Sequence, residues 1–173
     1  MTAGFARTLA HGQAVALVIE PAAAEANLDA ERVAAARYRG GRADEYLAGR
    51  RALRAAVAAL GLDVAVGAID ADERGAPRLP DGVVGSISHK ATLALALAAP
   101  AAGWTVGVDL ERRAPRPTDL ARKVLTVDEL AVVAALDDDA RRRAVVRAFA
   151  IKEAVYKAID PYLRRYVGFL EVA

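Results

Sequence analysis

The sequence predicts one compact unit that mixes strands and helices, of the α/β or α+β class. Short apolar runs of strand type (AVALVIE, VVGSIS, TLALALA, TVGVDLE) lie scattered among alanine- and arginine-rich helical stretches. Glycine and proline separate the two types at short intervals, with no long linker and no internal repeat. At 173 residues and 55% apolar, the chain has the length of one domain and material for a sizeable core.

Taken in order, Ala14 to Glu20 reads as a buried strand closed by Pro21. Helices are predicted from Asp29 to Arg39 and from Ala43 to Leu60, with Gly40-Gly41 between them and Gly61 as the stop. Gly49 costs about 1 kcal/mol against alanine inside a helix, so close packing or a ligand is expected there. Ala71 to Gly82 is loop chemistry. Strands follow at Val83–Ser88, Thr92–Ala98 and Thr105–Glu111, and Arg112 to Pro117 (RRAPRP) must be a connection. Thr126 and Glu129 have capping-box spacing and start a helix to about Leu136. Three aspartates, Asp137 to Asp139, then favour the start of a last helix, Ala140 to Ile159, which Pro161 ends.

Composition removes several function classes. The net charge of +2 is too small for nucleic-acid binding on electrostatics alone, and 5% aromatic residues leave little for base stacking. The absence of cysteine excludes disulfides, thiolate zinc sites and a cysteine nucleophile. No apolar run approaches the roughly 20 residues of a membrane span, and no secretory signal pattern opens the chain, so a cytoplasmic protein with no membrane partner is expected. Of 24 basic residues only Lys90, Lys123, Lys152 and Lys157 are lysine, which makes their positions informative.

Four segments hold candidate chemistry. In Val106-Gly-Val-Asp-Leu-Glu111, strand alternation sends Val106, Val108 and Leu110 to the core and sets Asp109 and Glu111 side by side beyond Gly107. Paired carboxylates repel unless a cation lies between them, and magnesium suits such a pair; the alternative is a strand end that turns polar. In Phe149-Ala-Ile-Lys-Glu-Ala-Val-Tyr-Lys157, Glu153 and Lys157 are i,i+4 neighbours, either a surface pair or a carboxylate and a cation serving a phosphate. Gly85-Ser-Ile-Ser-His-Lys90 closes a strand with a hydroxyl, an imidazole and an ammonium, without the spacing of a nucleophile elbow. Arg42, Arg50 and Arg54 along one helix, with Arg74 and Arg78 in the loop, are either a solvated face or a phosphate grip.

In this order, SISHK (Ser86–Lys90), GVDLE (Gly107–Glu111) and FAIKEAVYK (Phe149–Lys157) resemble the 4′-phosphopantetheinyl transferases, in particular the larger monomeric class of the siderophore- and surfactin-synthetase type. The loop ERGAPRLPDG and the helix carrying Ala48-Gly-Arg50 look like that family too, so the resemblance covers about Arg42 to Phe169. It implies one domain over residues 1–173, made of two similar α/β halves (about 1–103 and 104–173) related by a pseudo-two-fold, with a cleft between them. Such chains usually run on past the KE helix, so a second half that is small or incomplete at Ala173 is expected. The resemblance also implies magnesium-dependent transfer of phosphopantetheine from coenzyme A to a serine of an apo acyl, peptidyl or aryl carrier protein, by a monomer, with release of adenosine 3′,5′-bisphosphate. Manganese is the expected substitute ion. Asp109, Glu111 and Glu153 are then the metal ligands, and Glu153 also a base toward the carrier serine. Lys152 and Lys157 would neutralise the pyrophosphate, Ser88 would sit beside it, and Arg42, Arg50, Arg74 and His89 would hold the 3′-phosphate and adenosine end. The competing readings are another magnesium-dependent phosphotransferase or nucleotide hydrolase, and a non-catalytic module binding coenzyme A or RNA.

Overall fold

The computed structural model describes residues 4–112 and 120–172. Its architecture is mixed α and β, with one four-stranded antiparallel sheet in the order β1-β2-β4-β3. The strands are β1 (Phe5–Leu9), β2 (Gly12–Val18), β3 (Val83–Lys90) and β4 (Leu93–Pro100), and the helices are α1 (Asp29–Ala35), α2 (Arg42–Ala58), α3 (Leu120–Val124), α4 (Val127–Ala134) and α5 (Asp138–Leu163). β4 sits between β2 and β3, with Gln13 opposite Ala98 and Ser86 opposite Leu97. Its alanines fill the middle of the sheet, and Ala94, Ala96 and Ala98 are fully buried.

α2 lies on one face of this sheet because it presents small residues to it. Ala52, Leu53 and Ala56 are fully buried and join Val15, Val83 and Ala96 in one core. Gly49 is explained by packing: a Cβ there would stand 2.8 Å from Ile87 Cγ2. A second core gathers Val124, Leu125, Val133 and Val145 where α3 and α4 meet α5. The capping box read from the sequence is present, and the first of the three aspartates at the start of α5 is its N-cap. Glu129 N donates to Thr126 Oγ1 at 3.3 Å while Thr126 N donates to Glu129 Oε2 at 2.8 Å, and Asp137 Oδ1 accepts from Ala140 N at 2.8 Å.

Several boundaries differ from expectation. β2 starts and ends two residues early, because Pro21 opens a 3-10 turn that pulls the chain out of the sheet. β1 carries no alternating apolar signal, since it is an exposed edge strand along its whole length. Pro161 does not end α5; it removes one hydrogen bond in the last turn, and Arg164 N to Asp160 O at 2.8 Å closes the helix beyond it. The largest departure is the expected strand at Thr105–Glu111, which forms no ladder. It runs past β3 on the face opposite α2, where Val108 N and Leu110 N donate to the hydroxyls of Ser86 and Ser88 at 3.2 and 3.1 Å. The expected connection from residue 113 onward lies outside the described residues. Among the described residues, the chain after residue 104 is helical or irregular.

Candidate active site

The segment 105–111 is clamped between β3 and α5, and this places its chemistry. Gly107 touches α5 so closely that a Cβ would lie 1.8 Å from Ala154 O. Two residues on, Asp109 faces the same helix: its Oδ1 accepts from Lys157 Nζ at 2.8 Å and from Ser88 Oγ at 2.9 Å. The alternation read from the sequence therefore holds for Gly107 and Asp109, although Val106, Val108 and Leu110 are half-buried rather than core, and Val106 lines a cleft. That cleft, about 530 Å³, is lined by β3 and the loop around Arg74 on one side and by α5 on the other. Arg50, Arg74, His89, Glu153, Tyr156 and Lys157 line it together.

Arg50 is buried, with its guanidinium 3.5 Å from the centre of the Tyr46 ring and its Nε donating to Ile69 O at 3.3 Å. Ile69 is also fixed through its other peptide group, because the fully buried Glu31 accepts from Ile69 N at 2.9 Å and from Arg54. Lys157 gives a second donor to Val108 O at 3.0 Å, so two of its three donors are engaged among the described residues. Burial, then the charge of Asp109 and more weakly that of Glu111, raises the Glu153 carboxyl above its ordinary value against the pull of Lys157.

The other candidates are placed differently. Ser88 is not among the residues lining the cleft, and its hydroxyl steadies Asp109 and Leu110 rather than facing a phosphate. Arg74 lines the cleft, but its guanidinium grips the Asp160 carboxylate with two hydrogen bonds, tying the loop to α5. Arg42 is exposed at the start of α2, outside the lining of the cleft. Glu111 takes an ion pair from Lys90 at 3.1 Å and lines a second groove, with Arg142, Arg143 and Arg147. Lys152 departs furthest from expectation. It is 4% exposed, and its Nζ donates to Val124 O, Glu129 Oε2 and Phe169 O at 3.0, 2.6 and 3.1 Å. Helical geometry sets it about 140° round α5 from Lys157, so it turns to the second core instead of the cleft. Tyr46, Glu45 and Asp160 join the site from outside the four sequence segments, and Tyr156 from inside one of them without being a candidate. Their signal in the sequence is i,i+4 spacing, Tyr46 with Arg50 and Tyr156 with Asp160.

The carboxylates suit a divalent cation in two respects. Asp109 Oδ2 is buried without a hydrogen-bond partner, and the negative charge that lifts Glu153 is what a cation would neutralise. Among the described residues, however, no three metal-ligating side chains are gathered into a ready cage, since lysines stand against Asp109 and Glu111.

Comparison with known proteins shows the family. The pattern of the 4′-phosphopantetheinyl transferase N-terminal domain matches residues 29–99, and that of the 4′-phosphopantetheinyl transferase superfamily matches residues 105–173. The chain belongs to the 4′-phosphopantetheinyl transferase superfamily. It is 34% identical over 128 residues to the 4′-phosphopantetheinyl transferase Npt of Nocardia iowensis, covering 73% of this chain and 56% of that protein. It is 37% identical over 118 residues to enterobactin synthase component D of Salmonella typhi (67% and 47% covered), and 36% identical over 125 residues to the transferase Svp of Streptomyces mobaraensis (69% and 49%). The chain thus spans about half the length of these relatives. The first pattern ends within β4 and the second begins with the 105–111 segment. Among the described residues no helix is long and apolar enough to cross a membrane.

Proposed function

We propose that this chain moves the phosphopantetheine arm of coenzyme A onto a serine of an apo acyl, peptidyl or aryl carrier protein, releasing adenosine 3′,5′-bisphosphate, in the cytoplasm and as a monomer. The observation that carries this reading is one cleft lined by Arg50 and His89 from the first part of the chain and by Glu153 and Lys157 from the second, with Asp109 paired to Lys157 at 2.8 Å behind the lining. In this reading residues 1–103 and 104–173 are two halves of one domain, and the 105–111 segment with α5 is the counterpart of β3 with α2. Relatives named for phosphopantetheine transfer and enterobactin synthesis support it.

Asp109, Glu111 and Glu153 would hold a magnesium ion, which when bound offsets charge on the pyrophosphate. Glu153, its carboxyl held above the ordinary range, accepts the proton of the carrier serine. The serine oxygen bonds to the phosphorus that carries the pantetheine arm as the bond from that phosphorus to the bridging oxygen breaks. Lys157, anchored on Val108 O and Asp109, points its remaining donor at the charge that develops there. Arg50, stacked on Tyr46, is preorganised for the 3′-phosphate at the far end. Incubation with coenzyme A, magnesium and an apo carrier protein should add the mass of one phosphopantetheine to the carrier; an unmodified carrier would overturn the reading.

Two substitutions test the assignments. Arg50→Ala should weaken coenzyme A binding by about 1.5–3 kcal/mol and reduce the preference over 3′-dephospho-coenzyme A, because one charged phosphate contact is lost. An unchanged preference would return Arg50 to a structural role. Lys157→Arg keeps the charge but not the point geometry, and should lower turnover at least about tenfold with little change in the Michaelis constant. Lys123→Arg, at an exposed position of α3, is the control; equal wild-type rates for both would remove Lys157 from the mechanism.

A further inference from the structure

His89 lines the cleft, and one of its two ring nitrogens has a carboxylate beside it. Its Nδ1 lies 3.2 Å from Glu45 Oε2, on α2, one turn of helix before Gly49. Glu45 is not among the residues lining the cleft, so it stands behind the ring rather than beside a ligand. A carboxylate this close to Nδ1 holds the ring by its charge and favours the neutral tautomer with its proton on that nitrogen. Nε2 is then the nitrogen left for a ligand, and in the neutral ring it is an acceptor. A phosphate offers only acceptors near neutral pH, so the two can bond only if Nε2 gains a proton.

We propose that Glu45 is a positioning residue for His89, orienting its ring and supporting the proton that Nε2 takes up from solvent when the 3′-phosphate of coenzyme A binds. The inference rests on the coenzyme A reading given above. Burial, with the charges of Arg42 and Arg50 on α2 and Lys157 on α5, holds the imidazole below its ordinary pKa, while Glu45 opposes them. The free protein therefore carries a neutral His89 near pH 7.5, and the arriving dianion tips the balance. The proton goes from buffer to Nε2, and Nε2–H donates to a phosphate oxygen. Glu45 cancels part of the new charge from the other side of the ring.

Calorimetric titration at pH 7.5, in two buffers of different ionisation enthalpy, counts the protons directly. Wild type should take up between about 0.5 and 1 proton per coenzyme A, and close to none with 3′-dephospho-coenzyme A. Glu45→Gln, which keeps size and removes charge, should abolish most of that uptake. It should also weaken coenzyme A about tenfold while leaving the dephospho form within about twofold. In a His89→Asn background the same Glu45→Gln change should have no further effect, which a merely structural role on α2 would not produce. Coenzyme A binding with equal proton uptake in wild type and Glu45→Gln overturns the role of Glu45 and leaves the transferase reading standing. Failure of wild type to bind coenzyme A at all overturns both.

Discussion

Asp109→Ala is expected to remove phosphopantetheine transfer almost completely, by about a thousandfold or more, while the protein still folds. Three observations set that size. The Oδ1 of Asp109 is the point where β3 and α5 meet, through Ser88 and Lys157. Its Oδ2 is buried with no hydrogen-bond partner among the described residues, an open position that a bound cation would complete. Losing a metal ligand and the anchor of the catalytic lysine together is worth about 4 kcal/mol of barrier, which is the thousandfold. The fold survives because Ser88 keeps the Leu110 N–H, Lys157 keeps Val108 O, and the lysine is exposed enough to find water. Asp109→Asn retains the shape and should lose nearly as much, since an amide neither balances Lys157 nor ligates a hard cation well. The measurement is single-turnover transfer to an apo carrier protein beside a thermal melt. Transfer should also stop in excess chelator, and full turnover there would sink the metal assignment for all three carboxylates.

How far the site is legible in the sequence follows from which interactions are local. Capping at Thr126 and Asp137, and the facing of Gly107 and Asp109 to one side, depend on spacings of two or three residues, and the sequence states those directly. The pairing of Asp109 with Lys157 joins residues nearly fifty positions apart; only the ordered motifs hint at it. The strand expected at 105–111 is absent because apolar alternation records which side of an extended chain is covered, not what its backbone bonds to. Here serine hydroxyls take the place of a neighbouring strand. Arg74 and Ser88 have the residue types of phosphate binders, but Asp160 and Asp109 reach them first, and neither partner is near in sequence. Glu45 leaves no trace for the same reason: its meaning comes from His89, forty-four residues away.

Lys152→Met should cost about 2–4 kcal/mol of folding stability and almost nothing in the cleft, the reverse of Lys157→Arg. Methionine matches the length of the stem and fills the same space, so no cavity opens. What it removes is three donors. Val124 O then loses its lysine donor in the second core, at about 1–3 kcal/mol for a group that water cannot reach, while Phe169 O loses one of two donors and keeps Val172 N at 3.3 Å. Glu129 loses its cation but keeps Thr126 N, and at 32% exposed it can hydrate, which holds the total below the figure for a fully buried pair. For a chain of this size the loss corresponds to a melting point lower by roughly 5–15 °C. Acid provides a second readout. Lys152 first, and then the Thr126 N–H, hold the Glu129 carboxyl below its ordinary 4.5, so their contribution is complete above that pH and disappears as pH falls through the lowered value. In Lys152→Met the part due to the lysine is absent throughout, so the acid-side loss of stability should be shallower than in wild type. The decisive comparison is between the two lysines of one motif. Lys152→Met should melt early yet, at low temperature, bind coenzyme A as wild type does; Lys157→Arg should melt normally and turn over slowly. A Lys152→Met protein with an unchanged melting point and weakened coenzyme A binding would put Lys152 back in the cleft, and would contradict the rotation of α5 that turns this lysine to the second core.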